Sequence, residues 1–161
     1  NDEQSPVSFY GKTKSLGEIE GERILVIRSD VYGPDMSING TGFFNWAMNS
    51  KGSATGYANA YFNGVSNLEY ARFIQMAIEN QIVGSYNLGS ADSISKYHLF
   101  KLIKESFHID VTIQKELMPQ SKTVLLTQRE DIGFKSKTYE VQLEELKDWI
   151  VKHKDLYKDF C

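Results

Sequence analysis

The sequence is poor in the residues that most built sites require. Its one cysteine, Cys161, stands at the last position, which excludes an internal disulfide framework and any multi-cysteine metal site. The three histidines, His98, His108 and His153, are scattered through lysine-bearing segments. They read as surface residues rather than ligands, and no metal is expected. The net charge is only −3, and no lysine/arginine cluster runs along a face, so no nucleic-acid partner is expected. No apolar stretch approaches the length of a membrane helix, and no secretory signal opens the chain. With cysteine so scarce, a reducing, cytoplasmic setting fits best.

What is present is the composition of a globular protein. The 161 residues suffice for one ordinary domain with a core, and 41% are hydrophobic against 24% charged. The opening residues Asn1 to Pro6 run straight into Val7-Ser8-Phe9-Tyr10 with no preceding strand or methionine. This reads as a chain that begins inside a longer protein.

Periodicity and punctuation divide the rest. Ser5-Pro6 can open a helix, expected over residues 6 to 20 and weakened by Gly11 and Gly17. Arg23 to Arg28 is a short apolar run with β-branched residues, the mark of a buried strand. Tyr32-Gly33-Pro34 reads as a turn and residues 35 to 42 as a loop. A short helix is expected from Phe43 to Met48, then an extended segment within Thr55 to Val65. Ser66-Asn67-Leu68-Glu69 is a capping box. It opens a helix whose apolar face is Tyr70, Phe73, Ile74, Ala77 and Ile78. A strand at Val83 to Leu88 follows, then a helix begun by Ser93 or Ser95 with the stripe Leu99, Phe100, Ile103 and Phe107. Val111 to Ile113 is a third strand, Pro119 to Gly133 mostly irregular, and Leu143, Leu146, Trp149, Ile150 and Leu156 mark a closing amphipathic helix. Alternating helices and short strands argue for an α/β arrangement. The strands are too few for a complete doubly wound sheet.

One pair of residues carries chemistry. Tyr10 and Lys14 lie four apart, hence on one helix face. A phenol is a poor proton donor near neutrality, but an adjacent ammonium favours the phenolate and brings the group toward useful acid–base work. The spacing alone is weak, since roughly one chance match is expected in a chain of this composition. A second match, Tyr97 to Lys101, spans an apolar helical stripe and reads as a packed tyrosine with a solvated lysine. Context favours the first pair, which precedes Gly17-Glu18 and a strand ending in Arg28-Ser29-Asp30-Val31-Tyr32-Gly33-Pro34.

These residues resemble a known family. Pro6-x-Ser8-x-Tyr10-Gly11-Lys12-Thr13-Lys14-x-x-Gly17-Glu18 is similar to the catalytic helix of extended short-chain dehydrogenases/reductases, and most of all to dTDP-4-dehydrorhamnose reductases. Ile27-Arg28-Ser29 with Tyr32-Gly33, Asn63 to Glu69, Gly84 to Gly89, Ile94 to Leu99 and Leu143 to Ile150 resemble successive parts of that family's second half. The implied fold is the C-terminal part of a Rossmann-like NAD(P)-binding fold (residues 1–34) plus a small α/β substrate-binding region (residues 35–161).

The resemblance implies reduction of a 4-keto-6-deoxy sugar nucleotide. Tyr10 would protonate the carbonyl oxygen, Lys14 would lower the Tyr10 pKa and hold the nicotinamide ribose, and NADPH or NADH would supply hydride. Arg28 and Pro34 would border the nicotinamide. Asn45, Trp46, Tyr57 and Asn63 would wall the sugar nucleotide, as amides and aromatic rings suit sugar and base faces. The plainer role for Arg28 is an ion pair, and for the other four a loop or core position. No Gly-x-Gly-x-x-Gly loop follows a strand. The pyrophosphate-binding loop and the family's catalytic Ser or Thr are expected in an N-terminal half that these residues lack, and that half is an expected partner. An epimerase or dehydratase, or a non-catalytic binding or regulatory protein on the same scaffold, shares these features. A homo-oligomer is compatible with them.

Overall fold

The computed structural model describes residues 9–19, 21–37, 40–126 and 129–160. It is an α/β structure in which helices alternate with short, mostly parallel strand pairs.

The first elements are α1 (Phe9–Leu16) and β1 (Leu25–Arg28). The helix expected over 6–20 thus stops at Leu16, because Gly17 turns the chain with its N–H on the Lys14 carbonyl at 3.1 Å; residues 6–8 lie outside the described residues. The strand expected to be buried is half-buried along its whole length. Its physical reason is pairing: β1 runs parallel to β6 (Gly84–Asn87), Leu25 opposite Gly84 and Arg28 opposite Asn87, and these two strands form a sheet by themselves among the described residues.

The expected turn at Tyr32 contains a strand instead. β2 (Val31–Tyr32) pairs in parallel with β5 (Val65–Ser66). The turn comes one residue later, at Gly33, whose φ of 148° suits glycine. A Cβ there would stand 2.5 Å from the side chain of Asn67.

The middle of the chain holds α2 (Phe43–Met48), β3 (Gly52–Tyr57) and β4 (Ala60–Phe62). α3 (Asn67–Glu79) follows β5 directly. Ser66 caps it as the sequence indicates, accepting from the Glu69 N–H at 3.1 Å. The reciprocal half of the capping box is not made. Glu69 turns inward, accepts from the Lys137 N–H at 2.9 Å and pairs with Arg72 at 3.1 Å. Of the expected apolar face, Phe73 and Ala77 are buried, while Ile78 is exposed.

β7 (Ile94–Ser95) leads into α4 (Lys96–Phe107), capped by Ser95, whose hydroxyl accepts from the His98 N–H at 3.2 Å. β8 (Val111–Glu116) runs three residues past its expected end to pair in parallel with all of β3. β9 (Ser121–Thr123) pairs in parallel with β4, which also holds β7 antiparallel. The last helix, α5 (Tyr139–Lys152), buries Tyr139, Gln142, Leu143, Leu146 and Ile150. Leu156, expected on its stripe, lies beyond its end and is exposed, as Trp149 partly is.

Two apolar cores result. The larger joins Leu99, Phe100 and Ile103 of α4, Leu143, Leu146 and Ile150 of α5, and Phe44 and Ala47 of α2. The smaller lies under β1 and β6: Leu25 and Ile27 pack with Phe73, Ala77, Tyr86 and Leu88, and Phe73 stacks on Tyr86 with ring centroids 4.6 Å apart. Each fully buried side chain of this size stabilises by about 1.5–3 kcal/mol.

Gln142 braces the molecule between them. Its Oε1 accepts from the Ser66 N–H at 2.7 Å and the Tyr32 hydroxyl at 3.3 Å. Its Nε2 donates to the Lys137 carbonyl at 2.7 Å and the Ser90 hydroxyl at 3.1 Å. One buried amide therefore joins β2, β5, the segment after β6 and the start of α5, with its hydrogen-bonding groups satisfied.

Candidate functional site

Tyr10 and Lys14 occupy successive turns of α1, and the Lys14 ammonium stands 5.5 Å from the centroid of the Tyr10 ring. The pair shares a face, as the spacing requires. α1 buries none of its residues; Tyr10 is 71% exposed, and Phe9 and Leu16 are each 83% exposed. The phenol is therefore open to a molecule approaching from solvent.

The C-terminal end of α1 is tied to the sheet. Glu18 follows the helix with its N–H on the Ser15 carbonyl at 3.1 Å. Its carboxylate accepts two bonds from Arg28, Nε to Oε1 at 2.8 Å and Nη2 to Oε2 at 2.6 Å. The hydrogen bonds to Glu18 raise the Arg28 pKa, so the guanidinium is a permanent charge. Arg28, last residue of β1, thus takes the ion-pair role that its sequence position also allowed, with Glu18 as its partner.

Pro34 is buried in the turn after β2, where its carbonyl accepts from the Asn67 amide at 3.4 Å. Asn45 is buried on α2 and clasps the backbone of Asp35, Oδ1 accepting from its N–H at 2.8 Å and Nδ2 donating to its carbonyl at 2.9 Å. Asn63 is buried between β4 and β5; Nδ2 donates to the carbonyls of Ser90 at 3.1 Å and Leu125 at 2.8 Å, and Oδ1 accepts from the Leu125 N–H at 2.8 Å. Both amides are spent on the protein's own backbone. Trp46 and Tyr57 each keep part of a ring exposed; the Trp46 indole leans on Phe100 with centroids 4.8 Å apart.

The structure brings some of these residues together. Asn45 and Trp46 line a 450 Å³ cleft with Gly40, Thr41, Asn49 and Ser50. Glu18, two residues past the end of α1, links the chain after that helix to Arg28. The second Tyr-x-x-x-Lys pair lies on α4. Tyr97 is half-buried, packed so closely on Gly56 that a Cβ there would stand 2.7 Å from its ring, and Lys101 is exposed.

No family model and no curated protein matches the chain. Solved structures do. The dTDP-4-dehydrorhamnose reductase of Clostridium acetobutylicum superposes with a TM-score of 0.72 at 19% identity, covering 93% of this chain and 58% of its own. The chain shares its fold. The Bacillus anthracis dTDP-4-dehydrorhamnose reductase, solved with NADP, gives 0.69 at 13% identity over 87% of this chain and 52% of its own. The UDP-N-acetylglucosamine 4-epimerase of Methanobrevibacter ruminantium gives 0.62 at 22% identity over 92% and 55%. The α/β fold implied by the sequence resemblance is therefore found, and the chain spans about half the length of the solved structures it matches.

Proposed function

We propose that this chain is the substrate-side portion of an NAD(P)H-dependent reductase of 4-keto-6-deoxy sugar nucleotides. The observation that carries the reading is the Tyr10–Lys14 pair on the open face of α1, within a fold shared with dTDP-4-dehydrorhamnose reductases. Residues 1–34 supply the proton-transfer helix and a strand of the Rossmann-like part; residues 35–161 supply the substrate-binding region. The setting is cytoplasmic.

The residues present fit part of a nicotinamide cofactor's site. An exposed ammonium and phenol on one helix face can meet a ribose hydroxyl and a carbonyl, whereas no glycine loop is present to take a pyrophosphate. When bound, NADPH or NADH would supply hydride to the carbonyl carbon. Tyr10 would donate its hydroxyl proton to the carbonyl oxygen, and the Lys14 ammonium would stabilise the phenolate left behind and hold the ribose hydroxyls. Arg28 and Pro34, at a strand end and the turn beyond it, would border the nicotinamide. Trp46 and Tyr57 offer exposed ring surface to the sugar nucleotide, and Asn45 and Asn63 shape its wall through the backbone they hold.

An epimerase or dehydratase is the second reading, supported by the likeness to the 4-epimerase. Incubating the full-length protein with a dTDP-4-keto-6-deoxyhexose and NADPH separates them. A reductase consumes NADPH in step with ketone. An epimerase leaves net NADPH unchanged while product forms. No turnover of any nucleotide sugar would leave a binding or regulatory protein on this scaffold and end the catalytic reading.

A further inference from the structure

We propose that Glu18 is a positioning residue, which holds the Tyr10–Lys14 helix at a set angle to the end of β1 through its two-point ion pair with Arg28. The proposal rests on the reading that Tyr10 transfers the proton.

The argument begins with what does not hold the helix. α1 buries no residue, so apolar packing within the described residues does little to fix its direction. Its C-terminal end is different. The Gly17 and Glu18 N–H groups close on the Lys14 and Ser15 carbonyls at 3.1 Å each, so Glu18 moves with the last turn of α1. It also continues the four-residue spacing of Tyr10 and Lys14.

The other end of the link is rigid. Arg28 lies in register with Asn87 on β6, and the Leu88 N–H donates to the Arg28 carbonyl at 2.8 Å. The planar guanidinium offers two parallel N–H groups to two carboxylate oxygens, a geometry that sets direction as well as distance. Both side chains are partly shielded, 37% and 22% exposed, so screening is weaker than at an open surface pair. Lysine at position 28 could not reproduce the fork, and aspartate at 18 would reach one methylene less far.

Leverage makes the link matter. Tyr10 lies six residues from Leu16, the last residue of α1, roughly 9 Å along the helix. A tilt of about 6° at that end would then move the phenol by about 1 Å, a displacement that can cost on the order of 10²-fold in rate. The fork ties the chain just past this helix to the sheet, and its stiffness limits how far the helix can tilt.

The experiment uses the full-length protein. Glu18→Gln keeps the shape and removes the charge; Arg28→Gln removes the other partner; Glu18→Arg with Arg28→Glu reverses the pair. Hydrogen exchange followed by mass spectrometry should show faster exchange in residues 10–18 for both single variants, with β1 and β6 unchanged, and recovery in the reversed pair. In parallel, kcat for ketone reduction should fall at least tenfold in Glu18→Gln with KM for the nucleotide sugar held within about twofold. Native exchange of α1 in either single variant overturns the proposal, as does a folded reversed pair that does not recover native exchange. A wild-type protein that reduces no nucleotide sugar overturns the catalytic reading alone, and the exchange measurement still judges the fork.

Discussion

The side-chain amide of Asn63 meets the backbone of Leu125 at both of its polar groups, Oδ1 accepting from the N–H and Nδ2 donating to the carbonyl, each at 2.8 Å. An asparagine here does the work of a neighbouring strand. It holds the segment after β9, far along the chain, against the link between β4 and β5. Gly89 lies close by because a Cβ at that position would come within 2.4 Å of the same amide nitrogen.

Replacing Asn63 by leucine keeps the volume and removes the bonds. The Leu125 N–H and carbonyl and the Ser90 carbonyl then lose partners in a site where Asn63 is only 4% exposed. A buried polar group left unpaired costs about 1–3 kcal/mol, so the loss should exceed about 2 kcal/mol. In urea unfolding the midpoint should fall with the slope unchanged. A leucine variant within about 0.5 kcal/mol of wild type would mean that water replaces the amide and that Asn63 is not a brace.

Much of this could be read in the sequence, because local rules settle it. Ser66 and Ser95 cap α3 and α4 at the expected positions, since a serine hydroxyl finds its N–H within one turn whatever the tertiary fold. The stripes Leu99/Phe100/Ile103 and Leu143/Leu146/Ile150 are buried, since a 3.6-residue period has one apolar face. What escaped depends on partners distant in sequence. Glu69 leaves its capping box for Lys137, 68 residues on. β2 exists because Val65 and Ser66 lie beside it. The resemblance implies ligand-facing amides at Asn45 and Asn63, with a loop or core position as the plainer role, and only the fold shows their bonds going to Asp35, Ser90 and Leu125. Glu18 stood in the quoted motif without a role until Arg28 was placed opposite it.

The charged cluster on α3 and α5 predicts an acid limb in stability. Burial alone would raise the Glu145 pKa, but hydrogen bonds from Lys137 and Arg72 outweigh it and hold the carboxyl below its ordinary 4.5. A folded-state pKa below the unfolded value means that the folded protein binds fewer protons in the interval between them. Stability from this group is complete above about pH 4.5 and is lost as pH falls through the depressed folded value. Glu145→Gln should therefore lower Tm above about pH 4.5 and flatten its fall below that pH. Parallel wild-type and variant profiles across that interval would exclude Glu145 as the cause.

Tyr10→Phe removes one hydroxyl from an exposed ring and should leave the thermal melt within about 1 °C of wild type. In the full-length protein it should lower ketone reduction by about 10²–10⁴-fold, the usual contribution of a general acid. Tyr97→Phe is the control and should leave turnover nearly unchanged. Steady-state kinetics on the two variants decides. Equal losses would show that the wrong Tyr-x-x-x-Lys pair had been chosen.

The isolated 161-residue chain should bind NADH or NADPH poorly, because in the proposed reading Tyr10 and Lys14 would engage only the nicotinamide end. Without a glycine loop at a helix N-terminus the pyrophosphate charge has no set of backbone N–H donors. Calorimetric titration should show no binding tighter than about millimolar. Micromolar affinity would place a pyrophosphate site within these residues and remove the case for an absent half.

The same two-stranded sheet predicts how the isolated chain behaves in solution. β1 pairs with β6 and with no other described strand, although parallel strands are normally flanked and covered on both faces. One face carries a 680 Å³ groove lined by Leu25, Ile27, Ile74, Ile78, Ile82 and Val83 among others. Another groove, of 370 Å³, is lined by Ile19, Ile24 and Val26 with Gly84, Ser85 and Arg129. Apolar surface on both sides of a short sheet with open backbone edges favours association. The isolated chain should therefore sediment as a self-associated species at micromolar concentration, or melt below about 45 °C, the lower end for stable mesophile domains. Supplying the strands that precede it in the proposed parent should give a monodisperse species with a higher Tm. Sedimentation velocity over a concentration series, with melts on the same samples, tests both statements. A monomer at all concentrations with a sharp transition above about 65 °C would show that β1 and β6 need no further strands, and the proposal of a half-sheet would fail.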